Sequence, residues 1–365
     1  MNFENGIIVS FARTEEAAGM ILKKGNRALL YDGQAQILPD HYYLELNDSV
    51  KRRLDYLHDF DVLEFYSEDK FHLFFNSCSD DNALVITSKC NSNCIMCPCS
   101  ENYRKNESYE TPDHLCKLIK YFPEDIPYLT ITGGEPTLIK EGIFPILEQL
   151  KCHFESTKFF FLSNGRTFSN TEYLNHFIQK MPEKIRFCIP LYGYDEKSHD
   201  GITQAKGSFR QTVKGVKELL KRHCEVEIRI VVCKLNASWM SETAEFISEN
   251  FKGISCVNIM ATEMCGAAAH NKEIVWLDYD ECFKRSKKAI QILMENMIDV
   301  QLYNFPLCKV ERNYWALCAK SITDYKIRYN SQCETCNVKS VCGGVFGTTL
   351  AVTNMILTPV GGLHD

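Results

Sequence analysis

Three cysteines stand close together in Cys90-Asn-Ser-Asn-Cys94-Ile-Met-Cys97, a C-x₃-C-x₂-C spacing. Thiolates carried on one loop at such intervals can wrap a metal centre, and three soft sulfur donors suit an iron–sulfur cube. A structural zinc site normally closes with four ligands, whereas three leave one coordination position open for chemistry. Cys99 is an extra thiol two residues on. Pro98 between it and Cys97 is expected to turn the two side chains apart, leaving Cys99 a bystander. A second cluster, Cys333-Glu-Thr-Cys336-Asn-Val-Lys-Ser-Val-Cys342, lies near the C-terminal end, preceded by Cys308 and Cys318. Its density and loop composition point to metal ligation. The expected ligands are Cys308, Cys333, Cys336 and Cys342, with Cys318 as the alternative fourth, and spacing alone leaves zinc open.

Positioning these groups calls for a scaffold, and the chain between residues 83 and 261 supplies a rhythm for one. Short buried-type strands begin at Ala83, Tyr128, Lys158, Arg186, Val226 and Cys256, with helical patterns between them. Thr111-Pro112 opens one of those helices as N-cap and first-turn proline. Strands alternating with helices mean a parallel sheet, open or curled into a partial barrel, whose ligands gather at the carboxyl ends of the strands. The cysteine loop follows the first strand. The second strand ends in Gly133-Gly134-Glu135-Pro136, where paired glycines allow close backbone approach to a ligand. The third ends in Ser163-Asn164-Gly165, which puts short polar side chains on the same rim, or simply makes a turn.

Cys90, Cys94 and Cys97, the Gly133-Gly134-Glu135-Pro136 strand end and the Ser163-Asn164-Gly165 turn together resemble the radical S-adenosylmethionine (SAM) superfamily. The resemblance implies a partial (β/α)6 barrel and a [4Fe–4S] cluster on the three thiolates, its fourth iron chelated by SAM. It implies that Gly133, Gly134, Glu135 and Pro136 bind the methionine amino group and that Ser163 and Asn164 lie near the ribose. Reductive cleavage of SAM would give a 5′-deoxyadenosyl radical that takes hydrogen from substrate, chemistry that needs a water-excluded interior. Ile189-Pro-Leu-Tyr192, His199-Asp200 and Gln204 to Phe209 are similar to the fourth βα unit of the His-Xaa-Ser system radical SAM maturases. Val226-Glu-Ile-Arg229 is similar to their fifth strand, where Arg229 would neutralise the SAM carboxylate; a salt-bridged structural arginine is the competing reading. The C-terminal cysteines resemble an auxiliary-cluster segment of the SPASM or twitch type, implying a second iron–sulfur cluster. The similarity spans residues 83 to about 346. Cys99 and Cys265 depart from its pattern, and Cys265, on a rim loop, is the one weak candidate for a catalytic side chain.

Around this lies an ordinary globular composition. The chain has 365 residues, 45% hydrophobic and 24% charged, with a formal net charge of −6, which speaks against a nucleic-acid partner. No run of 18 apolar residues suggests a membrane span. Eighteen cysteines and no recognisable export signal lead us to expect a reducing, cytoplasmic setting. The expected organisation is a β-rich accessory domain over residues 1–80, a radical SAM partial barrel over 81–270 and a long helix plus cysteine-rich domain over 271–365. The expected function is radical modification of a ribosomally made peptide, fed by a reducing electron donor. Radical chemistry on a small molecule or nucleotide, and a non-catalytic metal-stabilised binding protein, are the alternatives.

Overall fold

A computed structural model of the chain describes residues 2–14, 16, 28–32, 34–38, 42–44, 52–67, 70–105 and 111–361. Of Arg27-Ala-Leu-Leu-Tyr31, which reads from sequence as a short strand of the N-terminal region, Arg27 lies outside them. Two compact units divide the chain: Met1–Thr87, Tyr109–Phe161 and Phe177–Ile185 form one, and Ser88–Ser108, Leu162–His176 and Arg186–Asp365 the other. These units do not coincide with a division at residues 80 and 270.

The first unit holds a six-stranded sheet of β1 (Asn2–Ala12), β2 (Ala28–Asp32), β3 (Gln34–Leu38), β4 (Tyr42–Leu44), β5 (Val62–Ser67) and β6 (Lys70–Phe75), in the order β4-β3-β2-β1-β5-β6. β1 and β2 run parallel and the other pairs antiparallel. Sequence patterning missed β3 and β5. β5 buries four residues in succession, so it lacks the half-exposed alternation that marks a strand. The same unit contains three parallel strands, β7 (Ala83–Val85), β8 (Tyr128–Thr132) and β9 (Lys158–Leu162), paired in chain order. Helices α1 (Pro112–Ile119) and α2 (Ile143–His153) bury Leu115, Leu118, Ile119, Ile143, Ile146, Leu147 and Leu150. Thr111 caps α1, its hydroxyl accepting the His114 N–H, as the Thr-Pro signature predicts.

The second unit is built on β10 (Ile185–Pro190), β11 (Glu225–Val232), β12 (Cys256–Ala261), β13 (Val300–Tyr303) and β14 (Cys318–Ala319), each parallel to the next. Helices α3 (Glu196–Thr203), α4 (Ser208–Lys221), α5 (Met240–Asn250) and α6 (Tyr279–Glu295) join them. The parallel strands therefore number eight among the described residues, not the six expected. Val300–Tyr303 continues the ladder beside β12, and Trp315–Cys318, read from sequence as a helical turn, is a 3₁₀ turn over Arg312–Leu317 that hands Cys318 to β14.

Period-two alternation splits the residues of this sheet by character. Phe187, Ile189, Val226, Ile228, Ile230, Val232, Val257, Ile259, Ala261, Val300 and Leu302 are buried and form the apolar core face. The opposite face carries Arg186, Cys188, Glu225, Glu227, Arg229, Asn258, Gln301 and Tyr303 in register across four strands. A sheet with one apolar face and one charged face has a second face built for something other than packing.

Candidate functional site

The three-cysteine loop begins one turn beyond β7 and is held by its backbone. Asn93 N–H donates to Thr203 O at 2.8 Å and Ile95 N–H to Ile202 O at 3.0 Å, so the loop's backbone is pinned to the last carbonyls of α3. Met96, between two of the cysteines, is buried with Tyr192, Ile202, Cys233, Met264, Ala268 and Val275. That apolar anchor fixes which way Cys94 and Cys97 project. Asn271 Nδ2 donates to Ile95 O at 2.9 Å and Ala267 N–H to Cys97 O at 2.9 Å. Gly266 lies so close to the loop that a Cβ there would sit 2.2 Å from Pro98 O, and its φ of +54° lies in the left-handed region that favours glycine.

The thiols sense one another. Burial, and then the charges of Cys90 and Cys97, push the Cys94 thiol up to about 12. The Cys99 thiol hydrogen-bonds the Cys97 sulfur and draws Cys97 down to about 6, with Arg104 adding to the effect, while Cys99 itself moves upward. Pro98 thus does not turn Cys97 and Cys99 apart. The proline bend brings the two thiols together, and Cys99 also feels Cys265. Three sulfurs whose charged forms would repel one another in a half-buried loop form a donor set that a cationic iron–sulfur core would relieve. Tyr192, fully buried beside them, has its phenol held far above its ordinary range by burial and by the Cys94 and Cys97 charges, so it stays neutral.

The Ser163-Asn164-Gly165 turn braces the same loop. Ser163 Oγ accepts the Gly165 N–H at 3.0 Å, and Asn164 Nδ2 donates to Asn91 Oδ1 at 2.6 Å. Arg166 Nη1 donates to Asn91 O and to Ser92 Oγ, the latter at 3.1 Å. Arg166, Asn91, Ser92, Asn271 and Met96 were not singled out from sequence. The arginine following a Ser-Asn-Gly turn was the one signal available for them. His199 accepts the Tyr192 N–H on Nδ1 at 3.1 Å and stacks on that ring at 5.6 Å. Burial pulls its pKa down to about 4, so the imidazole is neutral. Asp200 accepts from Ser208 Oγ and Phe209 N–H, each at 2.7 Å, and so caps the start of α4.

Arg229 Nε donates to the buried Glu227 at 2.6 Å, and Arg186 reaches the same carboxylate at 3.4 Å. The salt-bridged reading of Arg229 is therefore the geometry observed. In the adjoining register position Asn258 is fully buried with neither Oδ1 nor Nδ2 partnered. In the first unit, Gly134 N–H donates to Thr87 O at 2.7 Å, and a Cβ on Gly133 would come within 2.3 Å of that same oxygen. Close approach of β7's end to the strand thus already requires Gly133, before any ligand is considered. Glu135 is fully buried and caps the following 3₁₀ turn, accepting from Thr137 N–H at 3.1 Å and Thr137 Oγ1 at 2.6 Å, with Pro136 in the first position.

Cys308, Cys333, Cys336 and Cys342 line one small cavity of about 20 Å³, together with Pro306, Tyr329, Val338 and Leu357. Cys318 does not line it. Its side chain is set by β14 and its sulfur reaches Tyr314 O at 3.9 Å. Leu307 and Gly344 N–H groups donate to Cys342 Sγ at 3.4 Å. Backbone amides aimed at sulfur favour thiolate over thiol. Among the described residues no three His, Cys, Asp or Glu side chains converge on a single-ion position; these four thiols surround a space instead.

Comparison with known proteins bears on the first of these sites. Residues 84–247 match the radical SAM superfamily. They are a radical SAM domain. The cofactors of such a domain are a [4Fe–4S] cluster and SAM, and its matched span contains the cysteine loop and both strand-end turns. The sporulation killing factor maturation protein SkfB of Bacillus subtilis (strain 168) is 25% identical over 164 residues, 44% of this chain and 38% of that protein. The chain thus matches well under half of SkfB's length. Among solved structures, SuiB of Streptococcus suis bound to precursor peptide SuiA is similar with a TM-score of 0.48 and 14% identity, covering 60% of this chain and 48% of that one. The anSMEcpe structure with bound AdoMet gives 0.46 and 16%, covering 60% and 63%. No helix among the described residues is long and apolar enough to cross a membrane.

Proposed function

We propose that the chain is a radical SAM maturase that modifies a peptide. The observation carrying the reading is a pair of thiol sites on one chain: three cysteines on a braced loop within the radical SAM domain, and four around a separate cavity. The peptide substrate is drawn from the relatives, one named a maturation protein and one bound to a precursor peptide.

In this reading Cys90, Cys94 and Cys97 hold the [4Fe–4S] cluster, and Cys308, Cys333, Cys336 and Cys342 hold an auxiliary one. When bound, cluster and SAM supply reductive cleavage of the sulfonium and abstraction of a substrate hydrogen atom. The chain's own residues do the rest. Met96 and Tyr192 exclude water behind the loop. Asn164 and Arg166 hold the Cys90–Cys94 segment in place, and Asn271 and Ala267 hold the segment that follows. Gly133, Gly134, Glu135, Pro136, Ser163, Asn164 and Arg229 are the proposed SAM contacts, with Arg229 already tied to Glu227 on one edge. Cys265 sits beside Cys99 and the loop, which favours a role in packing against the cluster loop over one in catalysis.

Anaerobic reconstitution with iron and sulfide, then dithionite and SAM, should yield 5′-deoxyadenosine. Co-expression with short peptides encoded beside the gene should give a peptide mass shift. A protein with verified cluster content that forms no 5′-deoxyadenosine removes the enzyme reading; 5′-deoxyadenosine without any modified peptide removes the substrate assignment only.

A further inference from the structure

Beyond the last helix the chain turns back over the auxiliary cavity. Leu357 and Thr358 line it beside the four thiols, and Leu357 is 1% exposed. The segment is stitched to the cysteine-bearing loop from both sides. Asn330 Nδ2 donates to Leu357 O at 3.5 Å, and Asn337 N–H donates to Val360 O at 3.2 Å. In return, Val360 N–H donates to Cys336 Sγ at 3.4 Å. With Leu307 and Gly344 on Cys342, two of the four sulfurs receive backbone amides, one of them from this strap.

We infer that residues 357–360 are a working part of the auxiliary centre, the Val360 amide hydrogen bond to Cys336 setting the reduction potential and the retention of the iron–sulfur group held there. This rests on the auxiliary cluster proposed above. An amide pointing at a ligating sulfur stabilises the reduced cluster, which carries one more negative charge spread over its sulfurs, more than the oxidised one. The strap therefore raises the potential and favours electron acceptance. It also covers the cavity with Leu357, which slows entry of chelator and dioxygen.

The full chain carrying Cys90→Ala, Cys94→Ala and Cys97→Ala isolates the auxiliary cluster for spectroscopy. In that background Val360→Pro deletes the N–H while also fixing the local φ, and Val360→Ala keeps the donor. EPR-monitored redox titration should show a more negative midpoint for Val360→Pro and an unchanged one for Val360→Ala. Iron loss to a chelator should be several-fold faster in Val360→Pro. Equal midpoints and equal iron loss in the two variants overturn the inference while leaving the auxiliary cluster standing. Should Val360→Pro fail to fold by circular dichroism, a chain ending at Ile356 decides: wild-type potential and retention there overturn it, and failure of both to fold reduces the strap to a structural element. A triple-alanine chain that takes up no iron–sulfur chromophore overturns the auxiliary-cluster reading and the inference with it.

Discussion

Cys97 and Cys99 are two residues apart and share a proton, and the sharing is what keeps Cys97 largely thiolate near neutral pH. Replacing Cys99 with Ala removes the donor, so the Cys97 pKa rises from about 6 towards its ordinary value. The pH profile of alkylation at Cys97 in cluster-free protein, read by peptide mass spectrometry, should shift to higher pH; an unmoved profile contradicts the hydrogen bond. His199 makes a prediction of opposite consequence. Its folded pKa of about 4 lies below the unfolded value of 6.5, so its neutral form contributes stability above pH 6.5 that is lost as pH falls towards 4. The loss is about 3 kcal/mol over that interval, at about 1.4 kcal/mol per pH unit. Urea unfolding of His199→Gln between pH 7 and 4 should lack that part of the slope. The cysteine spacing and the strand-end turns were legible from sequence because they are local. The contacts that make them a site were not: Arg166 to Ser92 and Asn271 to Ile95 join residues 74 and 176 positions apart, and no local pattern reports such pairs.

At the scale of elements, the cysteine loop depends on a neighbour's lack of a side chain. Gly266→Ala places a methyl 2.2 Å from the Pro98 carbonyl oxygen and strains a left-handed backbone. A cost of about 3 kcal/mol is expected, together with reduced iron uptake as Ala267 loses its bond to Cys97. Urea titration and iron assay on the same preparation check both. The strands were readable wherever apolar β-branched and aromatic runs sat between turn residues, and all six expected barrel strands begin within one residue of the expected start or on it. β14 escaped because a two-residue strand carries no period; Val300-Gln-Leu-Tyr303 reads as a short strand after the long helix, but its pairing beside β12 is not written in composition. Asn258 shows what the alternation does reveal: it marks the charged face, on which this carboxamide lies without a partner. Asn258→Leu should raise stability by about 1–3 kcal/mol, the ordinary cost of an unsatisfied buried polar group, measured by urea unfolding.

For the whole molecule, two clusters predict about eight irons per chain. Cys94→Ala should bring that to about four and abolish 5′-deoxyadenosine formation, since two thiolates do not retain a cube. Cys336→Ala leaves three thiolates there and should keep SAM cleavage, with the second site's iron more readily lost to a chelator and modified product falling instead; unchanged product would confine the second site to scaffolding. The chain passes between its two compact units five times, at residues 87, 108, 161, 176 and 185, so neither unit is a continuous stretch of sequence. During synthesis the N-terminal sheet emerges early, yet the unit containing it lacks its last segment until Ile185 has left the ribosome. A nascent chain halted before that point should remain sensitive to protease across residues that are protected in the finished protein.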